Sequence, residues 1–227
     1  MIIYGKHVCF HILTHHRSIV KRVYVAKKGI LPQKLFHDYH SKIKFLEEKW
    51  AISMSKGGNH QGVLVEVDEF VECDFAQLKK ENFLLVLDGL TDVGNIGAII
   101  RSAYALGVEG VIAMGVRQLN FAAIARTSSG AFFDIPFMVA PKELDVLHEL
   151  SQQGFVSYGA SMEGVAIGKI AFAPKKVLIL GNEAKGLSKK TRQKLHHLVS
   201  IPMKHDFDSL NVSAAAAILL HRMNDAI

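Results

Sequence analysis

Three segments of this 227-residue chain carry the side chains that a nucleotide- or cofactor-handling site needs. The first is Asp92-Val-Gly-Asn95-Ile-Gly97, which runs into Ala-Ile-Ile-Arg101. Its glycines allow close backbone approach, and Asn95 is placed to cap a helix by accepting from its first N–H groups. Arg101 falls among Ile96, Ile99, Ile100 and Ala103, where a guanidinium either pairs or snorkels to the surface, or is held for a phosphate or ribose. The second segment is Gly181-Asn182-Glu183-Ala-Lys185-Gly186-Leu187-Ser188, directly after Val177-Leu-Ile-Leu180. Gly181 at a strand end can admit a ligand, Glu183 can accept from an amine or from Arg101, and Ser188 can cap the next helix. The third runs from Ile201-Pro202-Met203 through Ser209-Leu210-Asn211-Val212-Ser213 into the small-residue helix Ala214–Leu220. Polar groups at a helix start favour a carboxylate or phosphate, although capping alone also explains them.

These segments need a scaffold that brings strand ends together. From Asn82 onward the chain alternates uninterrupted apolar runs with helical ones: Phe83–Leu87, Val111–Met114, Val156–Gly159, Val177–Leu180 and Val199–Pro202 read as strands, and Ile96–Leu106 as a helix closed by Gly107. Strands of this kind belong to a parallel sheet buried on both faces, with chemistry at its carboxyl edge after Leu87, Leu180 and Pro202. Residues 1–72 have another style, rich in His and Lys, with short strands at Val23–Ala26 and Gly62–Val67. In Pro32–Lys49, Leu35, Tyr39, Ile43 and Leu46 recur at steps of three or four, which predicts a helix. A polar linker at 73–81 separates this part from 82–227.

Composition narrows the classes. A hydrophobic fraction of 49% excludes a disordered chain, and no apolar run approaches the roughly 20 residues of a membrane helix. The start, Met1-Ile-Ile-Tyr-Gly-Lys-His, lacks the pattern of a secretory signal, so a cytoplasmic protein is expected. Cys9 and Cys73 are too few and too far apart for a disulfide framework, and the 12 histidines show no ligand spacing, so no metal is expected. The formal charge of +6 suits a polyanionic partner. Arg17, Lys21, Arg22, Lys27 and Lys28 form one basic stretch, and Lys185, Lys189, Lys190, Arg192 and Lys194 another. Each is either a solvated face or a set of phosphate contacts. Neither a P-loop nor a dinucleotide fingerprint is present.

Taken in order, Asn95-Ile-Gly97…Arg101, Leu180-Gly181-Asn182-Glu183…Gly186-Leu187 and Ile201-Pro202-Met203…Ser209-Leu210-Asn211-Val212-Ser213 resemble the SpoU (TrmH) family of RNA ribose 2′-O-methyltransferases, within the SPOUT superfamily. Tyr4-Gly5-Lys6-His7-Val8 and His60-Gln61-Gly62-Val63 resemble that family's small RNA-binding domain of the L30e type. The resemblance implies an α/β, parallel-sheet methyltransferase domain with a C-terminal trefoil knot, preceded by an L30e-like α/β domain. It implies S-adenosyl-L-methionine (AdoMet) as cofactor, structured RNA as substrate (23S rRNA guanosine foremost, tRNA as the alternative), and a homodimer. By position, Gly181, Asn182, Ile201, Met203 and Leu210 bind the cofactor, and Asn95, Arg101, Glu183, Ser209 and Asn211 serve catalysis. An arginine stays protonated at neutral pH, so Arg101 suits alkoxide stabilisation better than proton abstraction. Val93 stands where the family usually has proline, and Lys204-His205 where it often has a small residue and glycine. A non-catalytic RNA-binding protein is the rival reading, against which the intact Asn95, Arg101, Glu183 and Asn211 stand.

Overall fold

The computed structural model describes residues 1–141, 145–205 and 209–224. Along the chain run β1 (Ile2–Tyr4), α1 (Lys6–His15), β2 (Val20–Val25), α2 (Gln33–Asp38), β3 (Ile43–Phe45), α3 (Glu48–Met54) and β4 (Val63–Val67). There follow α4 (Phe75–Leu78), β5 (Phe83–Asp88), α5 (Val93–Ala105), β6 (Gly110–Met114), α6 (Phe121–Thr127), β7 (Phe137–Val139) and α7 (Val146–Gln152). The chain continues with β8 (Val156–Ala166), β9 (Lys176–Gly181), α8 (Lys189–Arg192), β10 (His197–Ser200) and α9 (Val212–Asn224). Two compact units emerge: residues 1–71 with 120–133, and residues 72–119 with 134–227.

The first unit is built on a four-stranded sheet in the order β1-β4-β2-β3, antiparallel except for the β2–β3 pair. Val8, Cys9, Ile12 and Leu13 of α1 are buried, as are Val23, Val63 and Val65 of the sheet. Burial pushes the Cys9 thiol far above its ordinary range, so it acts as a small apolar side chain. The helix expected over Pro32–Lys49 is not there. Ile43–Phe45 pairs in parallel with Val23–Val25, and the stretch is α-helical only at Gln33–Asp38 and at its end, where α3 begins at Glu48. Cross-strand pairing overrides a helical spacing that four residues satisfied by coincidence. Residues 120–133 close this unit through aromatic packing, with Phe70 at 5.2 Å from Phe121 and 4.2 Å from Phe132 between ring centroids.

The second unit holds a six-stranded sheet in the order β10-β8-β9-β5-β6-β7, and every pair is parallel. All six residues of β5, in the middle of the sheet, are buried, which is why the sequence shows no alternation there. In α5, Ile96, Ile99, Ile100 and Ala103 form the buried stripe. Its N-cap is Asp92, which accepts from the Asn95 N–H at 2.7 Å; Asn95 itself sits one turn in, with its side chain available for other partners. That corrects the capping role expected of Asn95. Leu78 of α4 is fully buried in this unit's core, beside Leu84 and Val86. No helix among the described residues is long and apolar enough to cross a membrane.

Candidate active site

The carboxyl ends of β8, β9 and β10 and the start of α9 surround a cleft of about 540 Å³. Gly181, Asn182, Glu183, Ile201, Met203, Ser209, Leu210 and Asn211 all line it, so the second and third sequence segments form one cavity. Its floor is apolar, made by Leu180, Val199, Ile201, Leu210 and Leu219, and its rim is polar. Size and lining suit a small organic ligand with one flat apolar part and several polar groups. Asp206–Asp208 of the third segment lie outside the described residues.

The loop after β9 is held rigid from within. Asn182 and Gly186 exchange backbone hydrogen bonds of 3.1 and 2.8 Å, and the Asn182 side chain donates to the Gly89 carbonyl while accepting from the N–H groups of Ala184 and Lys185. Buried Asp88, at the end of β5, accepts from the Ser188 N–H at 3.1 Å. A Cβ on Gly181 would lie 2.3 Å from the Gly186 backbone. The glycine is therefore required by the closeness of its own loop, a reason the sequence does not reveal. Ser188 caps α8 through the Thr191 N–H, and Asn211 accepts from the Ser213 N–H at the start of α9.

The first segment joins the cleft through a directional chain of hydrogen bonds. The Ser213 hydroxyl donates to Asn211 Oδ1 at 2.6 Å, Asn211 Nδ2 to Asn95 Oδ1 at 3.1 Å, and Asn95 Nδ2 to Glu183 Oε1 at 3.0 Å. A carboxylate only accepts, so Glu183 sets the Asn95 amide; Asn95 then sets Asn211, and Asn211 the Ser213 hydroxyl. Asn95 and Asn211, more than a hundred positions apart, are thus held in one orientation beside the Glu183 carboxylate. Arg101 stands elsewhere. Six positions along α5 is about 120° around the axis from Asn95, and Arg101 is exposed on the helix's outer side.

The sequence reading missed one wall. β8 runs on to Ala166, so Ala160, Ser161, Met162 and Glu163 line the cleft opposite the loop after β9. Arg192 of α8 reaches this wall, donating to Ser161 Oγ at 2.7 Å and Glu163 Oε2 at 2.8 Å. The available signal was the rule that ligands sit at the carboxyl ends of parallel strands, applied to the strand begun at Val156. In the first unit, the two N-terminal segments singled out above do meet: the Lys6 N–H donates to Gln61 Oε1 at 2.8 Å and the Gly5 N–H to the Val63 carbonyl at 3.3 Å.

A parallel α/β sheet with such a cleft at its strand ends belongs to the class of folds that bind a small ligand at that edge. Comparison with other proteins sharpens the class. Residues 82–221 match the sequence model of the SpoU rRNA Methylase family, and residues 2–72 that of the RNA 2′-O ribose methyltransferase substrate binding domain. The chain belongs to the SpoU family of RNA ribose 2′-O-methyltransferases. It is 34% identical over 186 residues to the 23S rRNA (guanosine-2′-O-)-methyltransferase RlmB of Yersinia pestis, covering 78% of this chain and 76% of that one. It is 30% identical over 234 residues to RlmB of Escherichia coli K12, covering 96% of each. Among solved structures, an RNA 2′-O ribose methyltransferase superposes with a TM-score of 0.79 at 26% identity, over 100% of this chain and 88% of the other. The SpoU methyltransferase AviRb of Streptomyces viridochromogenes, in complex with AdoMet, shares the fold with a TM-score of 0.80 at 24% identity, over 99% and 89%.

Proposed function

We propose that this protein transfers a methyl group from AdoMet to the ribose 2′-hydroxyl of a guanosine in 23S rRNA, acting in the cytoplasm. The observation that carries the reading is the cleft at the ends of β8, β9 and β10 with the Ser213–Asn211–Asn95–Glu183 chain at its mouth. The residues present fit the cofactor. The floor of Leu180, Val199, Ile201, Leu210 and Leu219 suits an adenine ring, and Gly181, which lines the same cleft, puts no side chain against the ring's edge. Bound AdoMet supplies an electrophilic methyl on a sulfonium. As the ribose O2′ takes that methyl it loses its proton, to solvent or to a neighbouring phosphate, and the C–S bond breaks as the C–O bond forms.

The protein's part is positioning and charge. Glu183, through Asn95, fixes the amide that faces the nucleotide, and Ser209 and Asn211 shape the same mouth. Arg101 steadies the developing alkoxide without itself taking the proton. Its outward place on α5 supports a homodimer in which it serves a site completed by the partner subunit. The same faces of α5 and α9 expose Tyr104 (48%) and Ile218 (43%) among alanines, an apolar surface that a two-fold contact would cover. The strand order, together with the close approach of Gly164 to the Val199 backbone where β8 and β10 shift register, supports a C-terminal trefoil knot. The mixed sheet of the first unit, flanked by α1 and α3, supports an L30e-like substrate-binding domain spanning 1–72, joined through 73–81 to a catalytic domain spanning 82–227.

The test is methyl transfer from labelled AdoMet to total bacterial rRNA and tRNA, with the site mapped by resistance to alkaline cleavage. One protected guanosine in 23S rRNA is expected. Label confined to tRNA would redirect the substrate, and RNA binding without transfer would leave a non-catalytic RNA-binding protein.

A further inference from the structure

The first unit carries a cavity that the chemistry above does not use. It measures about 460 Å³ and is lined by Val25, Lys28, Gly29, Leu31, Phe36 and Phe45. Two aromatic rings line the same open slot, Phe36 at 46% and Phe45 at 58% exposure. Phe45 ends β3, the edge strand of its sheet, so no further strand covers it. Its place is fixed by the backbone: Val25 pairs with Phe45, and the Leu46 N–H donates to the Val25 carbonyl at 2.9 Å. Two exposed phenylalanines around one cavity form an apolar patch whose cover by an apolar group is favourable.

The surroundings say what enters. The unit made of residues 1–71 and 120–133 contains 12 basic and 6 acidic residues, which accounts for the whole formal charge of +6. Lys28 lines the slot, and Lys27, one residue before it, lines a second cavity of mixed character with Lys6, Ile52, His60 and Gln61, whose one carboxylate, Glu48, lies 3.2 Å from His60 Nε2 and leaves the two lysines in excess. Gly62 lets this arrangement form. Its φ of 84° and the Lys27 Cβ lying 2.6 Å from where its own Cβ would be leave no room for a side chain. A flat apolar ring beside a cationic, hydrogen-bonding cradle is complementary to one nucleotide, with its base stacked and its phosphate paired.

We propose that the slot between Phe36 and Phe45 takes a single unstacked nucleobase of the RNA substrate, with Lys27 and Lys28 on the adjoining phosphates. The inference rests on the RNA-methyltransferase reading for its ligand class, yet it concerns recognition alone. A fully paired helix presents no such base, so the slot selects loops and bulges.

The experiment measures binding of the full chain to a 23S rRNA transcript and to a perfectly paired RNA duplex over a range of salt. Loss of one base stack corresponds to roughly a tenfold loss of affinity. Phe45→Ala is expected to weaken transcript binding by about that factor with no change in the salt slope, because stacking releases no counterions. Duplex binding stays as in the parent, and Phe45→Trp restores the transcript affinity. Lys28→Gln is expected to lower the slope by about one. The AdoMet affinity and thermal midpoint of Phe45→Ala report that the fold is intact. Parental affinity of Phe45→Ala for the transcript overturns the proposal, and so does an equal loss on transcript and duplex. If the parent shows this binding pattern but transfers no methyl, the slot stands and the enzymatic reading falls. If methyl transfer proceeds and Phe45→Ala binds as the parent does, the reverse holds.

Discussion

Residues 1–71 with 120–133 hold 12 basic and 6 acidic residues, whereas 72–119 with 134–227 hold 15 of each. The contrast extends to shape. The neutral unit has a buried parallel sheet and a cleft with an apolar floor; the cationic unit has a small mixed sheet with Phe45 exposed on its edge strand and Phe36 exposed on α2. Long-range attraction of a polyanion and precise seating of a small molecule make opposite demands. The first wants dispersed, hydrated charge that works through counterion release, and the second wants dry walls and fixed dipoles. Dividing them between two units lets each surface be built for one task.

The sharpest way to break this division is to change one side chain of the neutral unit and read both tasks. Arg101→Ala is expected to lower methyl transfer by about 10²–10³-fold, the scale of removing one donor to a developing oxyanion. RNA affinity and AdoMet affinity by calorimetry should stay near parental values. A large fall in RNA affinity instead would make Arg101 a phosphate anchor, and the units would share recognition. Glu183→Gln asks the related question within the hydrogen-bond chain. The neutral amide can flip and donate, so the Asn95 orientation is no longer dictated. A loss in kcat with RNA KM unchanged is expected, and parental kcat would show that the chain only braces the loop.

A second effect belongs to the neutral unit's packing. A Cβ on Gly164 would lie 2.5 Å from the Val199 backbone, where the parallel pairing of β8 and β10 shifts register between Leu198 and Val199. Gly164→Ala is expected to cost about 1–3 kcal/mol of stability, as overpacking does, and to weaken AdoMet binding because Val199 and Ser200 line the cleft. A thermal midpoint equal to the parent's would mean that this close contact gives way easily. The same variant tests whether the cleft depends on close pairing of β8 with β10 or tolerates their separation.

Much of the cleft was legible because its segments pair special residue types with strand ends. Gly181, Asn182 and Glu183 follow an uninterrupted apolar strand, and Asn211 precedes an apolar helix, so local pattern and site coincide. The parallel sheet was legible for the same reason, since β5 and β9 are buried on both faces. The chain from Ser213 to Glu183 was not, because it joins three segments whose meeting depends on tertiary packing. Ser161 and Glu163 escaped because β8 continues past Gly159 into half-exposed residues with no uniform apolar run. Ile43–Phe45 was misread because three residues are too few to display a period of two against an accidental helical spacing. Nor does any local signal in 120–133 announce that its phenylalanines pack with Phe70.

The smallest expected effect decides whether neutrality in the second unit is real at the scale of RNA contacts. Its basic stretch does not stand as five available cations. Arg192 is paired with Glu163, and Lys194 with Asp145, whose carboxyl is held below its ordinary range chiefly by that lysine. Lys189 and Lys190 remain exposed on α8. Each cation that meets a phosphate contributes about one to the salt slope of binding, whatever its effect on affinity at a single salt. Lys27→Gln with Lys28→Gln should therefore reduce the slope for 23S rRNA by between about one and two, and Lys189→Gln with Lys190→Gln should leave it as it was. A slope that falls in both double variants would show that net charge conceals a local phosphate-binding face on α8. The RNA would then be gripped beside the cleft as well as by the first unit, and the separation of tasks would hold for base recognition alone.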